Sequence, residues 1–220
     1  MGAPLCTVEG NEPLTAYYPV SLNLEGRACL VVGGGPVAVR KASGLLRCGA
    51  VVAVVAPEVC DAMVALAPHT IARRPYRAGE AATYRLVVSA TGKADVDRAV
   101  HADAEAAGVW VNSADDEEHC SFILPAVYRD GPVTIAVSTG GTSPALASWL
   151  RDRLADEAGG LATLAALLAE ARGRLRADGR STEEVDWGAL LDGPLPSLID
   201  AGRLEQARAL VTAATGVDLA

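Results

Sequence analysis

What the 220-residue sequence lacks narrows its class before any motif is considered. No apolar run approaches the roughly 20 residues of a membrane-spanning helix. The opening letters MGAPLCTVEGNEPL contain neither the basic nor the apolar region of a secretory signal. The five cysteines are scattered without a C-x-x-C pair, which is typical of reduced thiols rather than of a disulfide framework. We therefore expect a cytoplasmic globular protein without a membrane partner.

Basic residues and histidines are also scarce. The chain has 19 Lys and Arg against 27 Asp and Glu, and its net charge of −8 argues against binding to nucleic acid. Residues 20–113 differ from the rest, because they hold ten basic and eight acidic side chains. An anionic small molecule is therefore expected to bind in the first half of the chain. Three histidines without an H-x-x-x-H pair predict no preformed metal site.

Short apolar runs alternate with helical patterns in the first half. Five strands are predicted, and segments with helical periodicity lie between several of them. The predicted strands lie in RACLVVGGG, VVAVVAP, HTIARRPY, YRLVVSAT and VWVNSA. This alternation is typical of a parallel sheet covered by helices. We predict an α/β fold in which residues 1–113 form a Rossmann-like, doubly wound parallel sheet.

A different pattern follows residue 113. The segment SFILPAVYRDGPVTIAVST predicts two strands joined at Asp130 and Gly131, and several helical segments come after it. Ser181 and Glu184 fit an S/T-x-x-E capping box, which predicts that a helix begins there. We expect a small α+β segment over residues 114–150 and a helical C-terminal domain over residues 151–220.

A glycine-rich turn lies between the first predicted strand and the first predicted helix. The letters GGGPVA, residues 33–38, fit G-x-G-x-x-[GA] in the context that a dinucleotide-binding turn requires. Gly33 permits a tight turn, Gly35 lets the backbone approach a diphosphate, and Ala38 lets helix and strand pack closely. Pro36 and Val37 open the helix, whose free amides and dipole favour an anion. The alternative is a strand-to-helix turn that holds no ligand.

The choice of dinucleotide depends on the end of the second strand. An acidic residue there commonly binds the ribose hydroxyl of NAD. Pro57 and Glu58 occupy this region, so the acid is missing or displaced to Glu58, and no arginine stands there to accept a 2′-phosphate. We predict NAD as the cofactor. Thr91, at the end of the fourth strand, is expected to lie near it.

Two blocks of sequence resemble one known family. The first block is YYPVSLNLEGRACLVVGGGPVAVRKASGLLRCGA, and the second is NSADDEEHCSFILPAVYRDGPVTIAVSTGGTSPALASWLRDRL. Over residues 17–155 they are similar to the siroheme synthase N-terminal-type family. Its members are precorrin-2 dehydrogenases, and some are also sirohydrochlorin ferrochelatases. The resemblance implies that precorrin-2 and NAD⁺ give sirohydrochlorin and NADH. It also implies a homodimer in which residues 114–150 are shared between chains, and a transient encounter with Fe²⁺ or Co²⁺ in chelating members.

The resemblance also implies roles for individual residues. Asp115 lies in the family's N-x-x-D turn and is expected to be the general base. Without the resemblance, Asp115 would be interpreted as part of a solvated acidic turn. His119 is left open between a metal or proton carrier and a surface side chain. The loop VSTGGTSPA is expected to bind substrate carboxylates, or else to be a connector with an N-cap at Ser143. The predicted substrate-binding residues are Asn112, Ser138, Thr139, Gly140, Thr142 and Ser143.

Two features leave alternatives open. Relatives usually have acidic residues after the threonine that ends the fourth strand, whereas this chain has Gly92 and Lys93. An alternative function of a different class is an NAD-binding sensor module without catalysis. The block that begins NSADDEEHC argues against the sensor, because sensing needs neither a C-S-F-I-x-P-A nor a G-G-T-S-P element.

Overall fold

A computed structural model describes residues 17–114 and 119–219. The chain divides into two compact units, Met1–Leu124 and Pro125–Ala220. The strands of the first unit are β1 (Ala28–Val32), β2 (Val51–Val55), β3 (Thr70–Ala72), β4 (Leu86–Ser89) and β5 (Trp110–Ser113). They form one parallel sheet in the order β3-β2-β1-β4-β5. The helices of this unit are α1 (Pro36–Leu46), α2 (Asp61–Ala65), a 3₁₀ helix (Glu80–Thr83) and α3 (Ala94–Ala106).

The sheet is apolar on both faces because successive strand side chains alternate between them. Cys29 and Val31 of β1 belong to the core cluster that includes α1, whereas Leu30 and Val32 belong to the cluster that includes α3. Strand order reverses between β1 and β4, so the crevice at their carboxyl ends is where such sheets bind ligands. The predicted doubly wound parallel sheet is confirmed.

The second unit combines a hairpin with a helical bundle. Strands β6 (Ala126–Asp130) and β7 (Val133–Val137) pair antiparallel, as the sequence predicts. The helices of the bundle are α4 (Pro144–Glu157), α5 (Leu161–Ala177), α6 (Trp187–Leu191), α7 (Leu195–Asp200) and α8 (Leu204–Thr215). Its apolar core comes mainly from α5, α7 and α8. Within residues 17–114 and 119–219, no helix is long and apolar enough to cross a membrane.

Two details of the second unit differ from expectation. The capping box predicted at Ser181 is wrong, because α6 begins at Trp187 and the Asp186 carboxylate caps it by accepting from the amide of Ala189. The hairpin also joins the helices directly, since the Asp130 carboxylate accepts a 2.8 Å hydrogen bond from the amide of Ala162. The structure therefore places the hairpin and the helices in one unit. The functional division at residues 113 and 150 stays a prediction.

Candidate active site

The turn after β1 is built so that only glycine fits its first position. Gly33 has a φ of +128°, which L side chains rarely adopt. A Cβ atom there would stand 2.2 Å from the carbonyl oxygen of Ala90, and the Gly33 amide donates to the carbonyl of Val55 at 2.9 Å. The turn therefore packs against the carboxyl ends of both neighbouring strands.

Gly34 is equally constrained, which the motif did not indicate because this position is variable in it. A Cβ atom on Gly34 would lie 2.1 Å from the carbonyl oxygen of Glu58, and the Cys60 amide donates to the Gly34 carbonyl at 3.0 Å. The glycine turn and the loop after β2 are therefore locked together. This contact crosses between two loops, so local sequence patterns do not reveal it.

The first turn of α1 presents free amides at the switch point. The amide of Val39 makes a 3.0 Å bond to the carbonyl of Gly35, and the amides of Val37 and Ala38 precede it. No side chain caps this helix, no acid lies in its first turn, and a Cβ atom on Gly35 would meet nothing within 4 Å. Pro36 and Val37 are exposed and Ala38 is buried. This open, uncapped turn fits a dinucleotide diphosphate.

A buried carboxylate organises the carboxyl end of β4. Asp97, in the first turn of α3, accepts hydrogen bonds from the hydroxyls of Ser89 and Thr91, the latter at 2.8 Å. Asp97 is only 7% exposed, and Ser89 is fully buried. The Lys93 amide donates to the Thr91 hydroxyl oxygen at 3.0 Å, which closes the turn. Sequence reasoning identified Thr91 and missed Asp97, since first-turn acids are common on helices for other reasons.

The loop after β2 carries an exposed carboxylate, whereas the loop after β3 carries an ion pair. Pro57 and Glu58 are exposed beyond the carboxyl end of β2, close to the glycine turn. Arg74 is an ion-pair partner of Glu80, and its guanidinium holds the pKa of that carboxyl below its usual range by hydrogen bonding. Arg74 is therefore engaged within its own loop.

Segments on either side of residues 115–118 pair with each other. The amide of Val111 donates to the Ser121 hydroxyl oxygen at 2.7 Å, and the amide of Ser121 returns a 2.9 Å bond to the carbonyl of Val111. The amide of Ser113 points to the Cys120 sulfur at 3.1 Å. This pairing holds both flanks at the carboxyl end of β5. Asp115, the predicted base, lies outside the described residues.

Asn112 is buried at the centre of this pairing. Only 5% of it is exposed, its side-chain amide donates to the carbonyl of Phe122 at 3.0 Å, and its oxygen accepts from Lys41 at 2.9 Å. Asn112 is therefore engaged within the protein through both ends of its side chain. His119 packs edge to face on His101 with ring centroids 4.9 Å apart. Among the described residues, no three His, Cys, Asp or Glu side chains cluster to hold a metal ion.

The serine- and threonine-rich loop of the second unit uses several hydroxyls internally. The Ser143 hydroxyl oxygen accepts from the Leu146 amide at 3.2 Å and caps α4, as the connector interpretation expected. The Thr139 hydroxyl oxygen accepts from the Ser143 amide at 3.0 Å, and that of Ser138 accepts from the Gly140 amide at 3.2 Å. Thr142 is exposed. The loop therefore has a defined shape, with positive φ at Gly140.

Comparisons with known proteins agree on one group. Residues 20–126 match the family model of NAD(P)-binding domains, and residues 130–157 match the model of the central part of sirohaem biosynthesis proteins. The siroheme synthase of Nitrosomonas europaea is 38% identical over 200 residues, which cover 87% of this chain and 42% of that protein. The siroheme synthase of Thioalkalivibrio sulfidiphilus is 39% identical over 210 residues, covering 92% and 43%. The chain thus spans less than half the length of these relatives.

One solved structure has a similar fold. SirC, precorrin-2 dehydrogenase, matches with a TM-score of 0.69 at 23% identity, covering 90% of this chain and 100% of that chain. At this identity the likeness establishes the fold: a Rossmann-like sheet followed by a helix-rich part.

Proposed function

The chain belongs to the siroheme synthase N-terminal-type family, and we propose that it catalyses the NAD-dependent oxidation of precorrin-2 to sirohydrochlorin. One observation of the site carries this proposal. The uncapped first turn of α1 and the strand end that precedes Asp115 lie at the same carboxyl edge of one sheet. A bound dinucleotide and a base that directly follows β5 in the sequence would therefore meet at that edge.

The oxidation removes a hydride and a proton from precorrin-2. NAD⁺ supplies the acceptor for the hydride when it is bound. The amides of Val37 and Ala38 would hold its diphosphate, and the turn at Thr91, held by Asp97, would border it. The carboxylate of Asp115 takes the proton. The products are sirohydrochlorin, NADH and H⁺, so two electrons leave the tetrapyrrole and two reach the nicotinamide.

We propose NAD over NADP as the dinucleotide. Glu58 is exposed after β2, where a carboxylate can accept from a ribose hydroxyl and would repel a 2′-phosphate. Its backbone is locked against Gly34, which holds this loop beside the glycine turn.

The substrate's acidic side chains suit the loop that contains Thr142. The glycine-rich backbone at residues 140 and 141 and the N-terminus of α4 offer donors to carboxylates. We propose that Ser138, Thr139, Gly140, Thr142 and Ser143 form this carboxylate-binding loop, with Ser143 acting mainly through its backbone because its hydroxyl already caps α4.

A second copy of the chain is proposed as a partner through the second unit. Leu146, Trp149 and Leu154 lie on α4 with exposures of 46%, 53% and 42%, which is unusual for large apolar side chains on one helix. Among the described residues, the β6–β7 hairpin pairs with no further strand, and two-stranded sheets are rarely stable alone. A homodimer interface over this surface would cover both features. The cytoplasmic location stays a prediction.

An anaerobic assay tests the function directly. The purified chain is incubated with precorrin-2 and NAD⁺, and absorbance is followed for NADH and for the tetrapyrrole, with and without Fe²⁺ or Co²⁺. We expect NADH and sirohydrochlorin in equal amounts. Further conversion only when a metal ion is added would assign chelation as a second activity, with that ion as substrate. Binding of NAD⁺ without any spectral change in precorrin-2 would instead support the sensor and contradict the dehydrogenase.

A further inference from the structure

Lys41 breaks the apolar stripe of α1. Ala38, Ala42 and Leu45 are the buried residues of this helix, spaced so that they face the sheet. Lys41 lies on the same stripe and is half-buried. It is one of only two lysines in the chain. A charged side chain at a core-facing position conflicts with the pattern around it, and such conflicts are expected at functional sites.

The hydrogen bond from Lys41 to Asn112 determines which end of the Asn112 side chain faces α1. The Lys41 ammonium donates to the Asn112 side-chain oxygen at 2.9 Å, and the Asn112 amide nitrogen donates to the Phe122 carbonyl at 3.0 Å. An ammonium can only donate and a carbonyl can only accept, so the two ends of Asn112 cannot be exchanged. Lys41 thus fixes the orientation of a side chain that joins the segment before residues 115–118 to the segment after them.

This connection lies inside the pairing described above. Val111 and Ser121 exchange hydrogen bonds on one side of Asn112, and Ser113 contacts Cys120 on the other. Without the ammonium, the oxygen of Asn112 would lose this hydrogen bond at a site that is only 5% exposed. Relaxation of Asn112 would then loosen the pairing between residues 111–113 and residues 120–121.

We propose that Lys41 is a positioning residue for the oxidation, acting through Asn112 to hold residues 111–114 and 119–122, which flank the proposed base Asp115 in the sequence. This inference rests on the proposed function for its catalytic consequence. Its structural consequence, the tightness of the pairing, is measurable without turnover.

The test compares Lys41→Met with the parent in the full chain. Methionine keeps the apolar stem and removes the donor. We expect kcat to fall by about tenfold or more, because small displacements of a catalytic group are costly, while the Kd for NAD⁺ stays within about twofold because the amides of Val37 and Ala38 are unchanged. Hydrogen exchange of peptides covering residues 111–122 should become about tenfold faster, whereas exchange of β2 should not change.

Two further variants show whether Lys41 acts through Asn112. Lys41→Arg keeps a donor and should recover most of kcat and of the exchange protection. Asn112→Ala should lose about as much kcat as Lys41→Met, and the double variant should lose no more than either single one. Arg47→Met, which removes an exposed charge just after the same helix, should match the parent.

The possible failures are distinguishable. Parent protein that does not oxidise precorrin-2 would contradict the proposed function. Exchange of residues 111–122 that is unchanged in Lys41→Met would overturn the role of Lys41 whatever the parent's activity. Losses of kcat that multiply in the double variant, equal losses in Lys41→Arg and Lys41→Met, or a matching loss of NAD⁺ affinity would also overturn it.

Discussion

The carboxylate of Asp97 accepts a hydrogen bond of 2.8 Å from the hydroxyl of Thr91, across the turn that joins β4 to α3. The same carboxylate oxygen accepts from Ser89, which is fully buried. Asp97→Ala would leave that hydroxyl without its partner, so we expect a loss of about 2 kcal/mol in the free energy of unfolding. The Kd for NAD⁺ should rise as the Thr91 turn relaxes. Denaturant unfolding and calorimetric titration measure both.

Asp95 provides a matched control for this prediction. It lies in the same first turn of α3 but is exposed. Asp95→Ala should cost no more than about 0.5 kcal/mol, because only its interaction with the helix dipole is lost. Equal effects of the two substitutions would show that the buried network does not stabilise this edge.

Replacing Gly33 tests the glycine turn. Gly33→Ala places a Cβ atom against the Ala90 carbonyl at a φ of +128°. We expect the free energy of unfolding to fall by at least about 3 kcal/mol, because the backbone would be strained and displaced. NAD⁺ should also bind more weakly to the protein that remains folded. Gly44→Ala is the control, since its Cβ would meet nothing within 4 Å in the interior of α1. Gly44→Ala should raise the free energy of unfolding by about 0.5–1 kcal/mol. A neutral Gly33→Ala variant would contradict the packing of this turn.

Asp115→Ala tests the proposed base. The protein should fold and bind NAD⁺ with unchanged Kd, because Asp115 is proposed to contact the tetrapyrrole only. We expect kcat for precorrin-2 to fall by about 100-fold or more. Circular dichroism and calorimetry check the fold and the cofactor, and the anaerobic assay checks turnover. Turnover equal to that of the parent would remove Asp115 from the mechanism.

The exposed apolar surface of α4 predicts the assembly state. Trp149→Glu should weaken a homodimer by about 100-fold or more, because a charge would enter the interface. Analytical ultracentrifugation over a range of concentrations measures this. Leu204→Glu is the control, since Leu204 is similarly exposed at 47% but belongs to a different helix, α8. A Trp149→Glu variant that remains dimeric would exclude this surface.

Burial of Cys29 predicts a dependence of stability on alkaline pH. Burial, with a smaller contribution from Cys48, raises the pKa of the Cys29 thiol from 9.0 to about 11. The folded protein therefore favours the neutral thiol, and this stability is complete below pH 9 and is lost as the pH rises towards 11. The melting temperature should fall over this range, and less steeply in Cys29→Ala. A Cys29→Ala variant whose melting temperature falls as steeply as that of the parent would contradict the assignment.

Local patterns were sufficient to predict most elements of this chain. The strands of the sheet carry apolar residues on both faces, and the turn at Asp130 and Gly131 has the chemistry that hairpins need. The glycine motif was recognised because strand, turn and helix are contiguous. The capping box at Ser181 failed because Asp186 offers a competing cap five residues later, and sequence alone does not rank two local caps.

The sequence by itself determined the parallel sheet, the hairpin, the helical segments and the place of the glycine turn, because each depends on periodicity or on residues that are neighbours in the chain. Only the tertiary structure decided the contact of Gly34 with Glu58, the burial of Asp97 under Thr91, and the hydrogen bond between Lys41 and Asn112, which are 71 positions apart. Such contacts depend on how strands and loops meet in space. A single sequence contains no distance information of that kind.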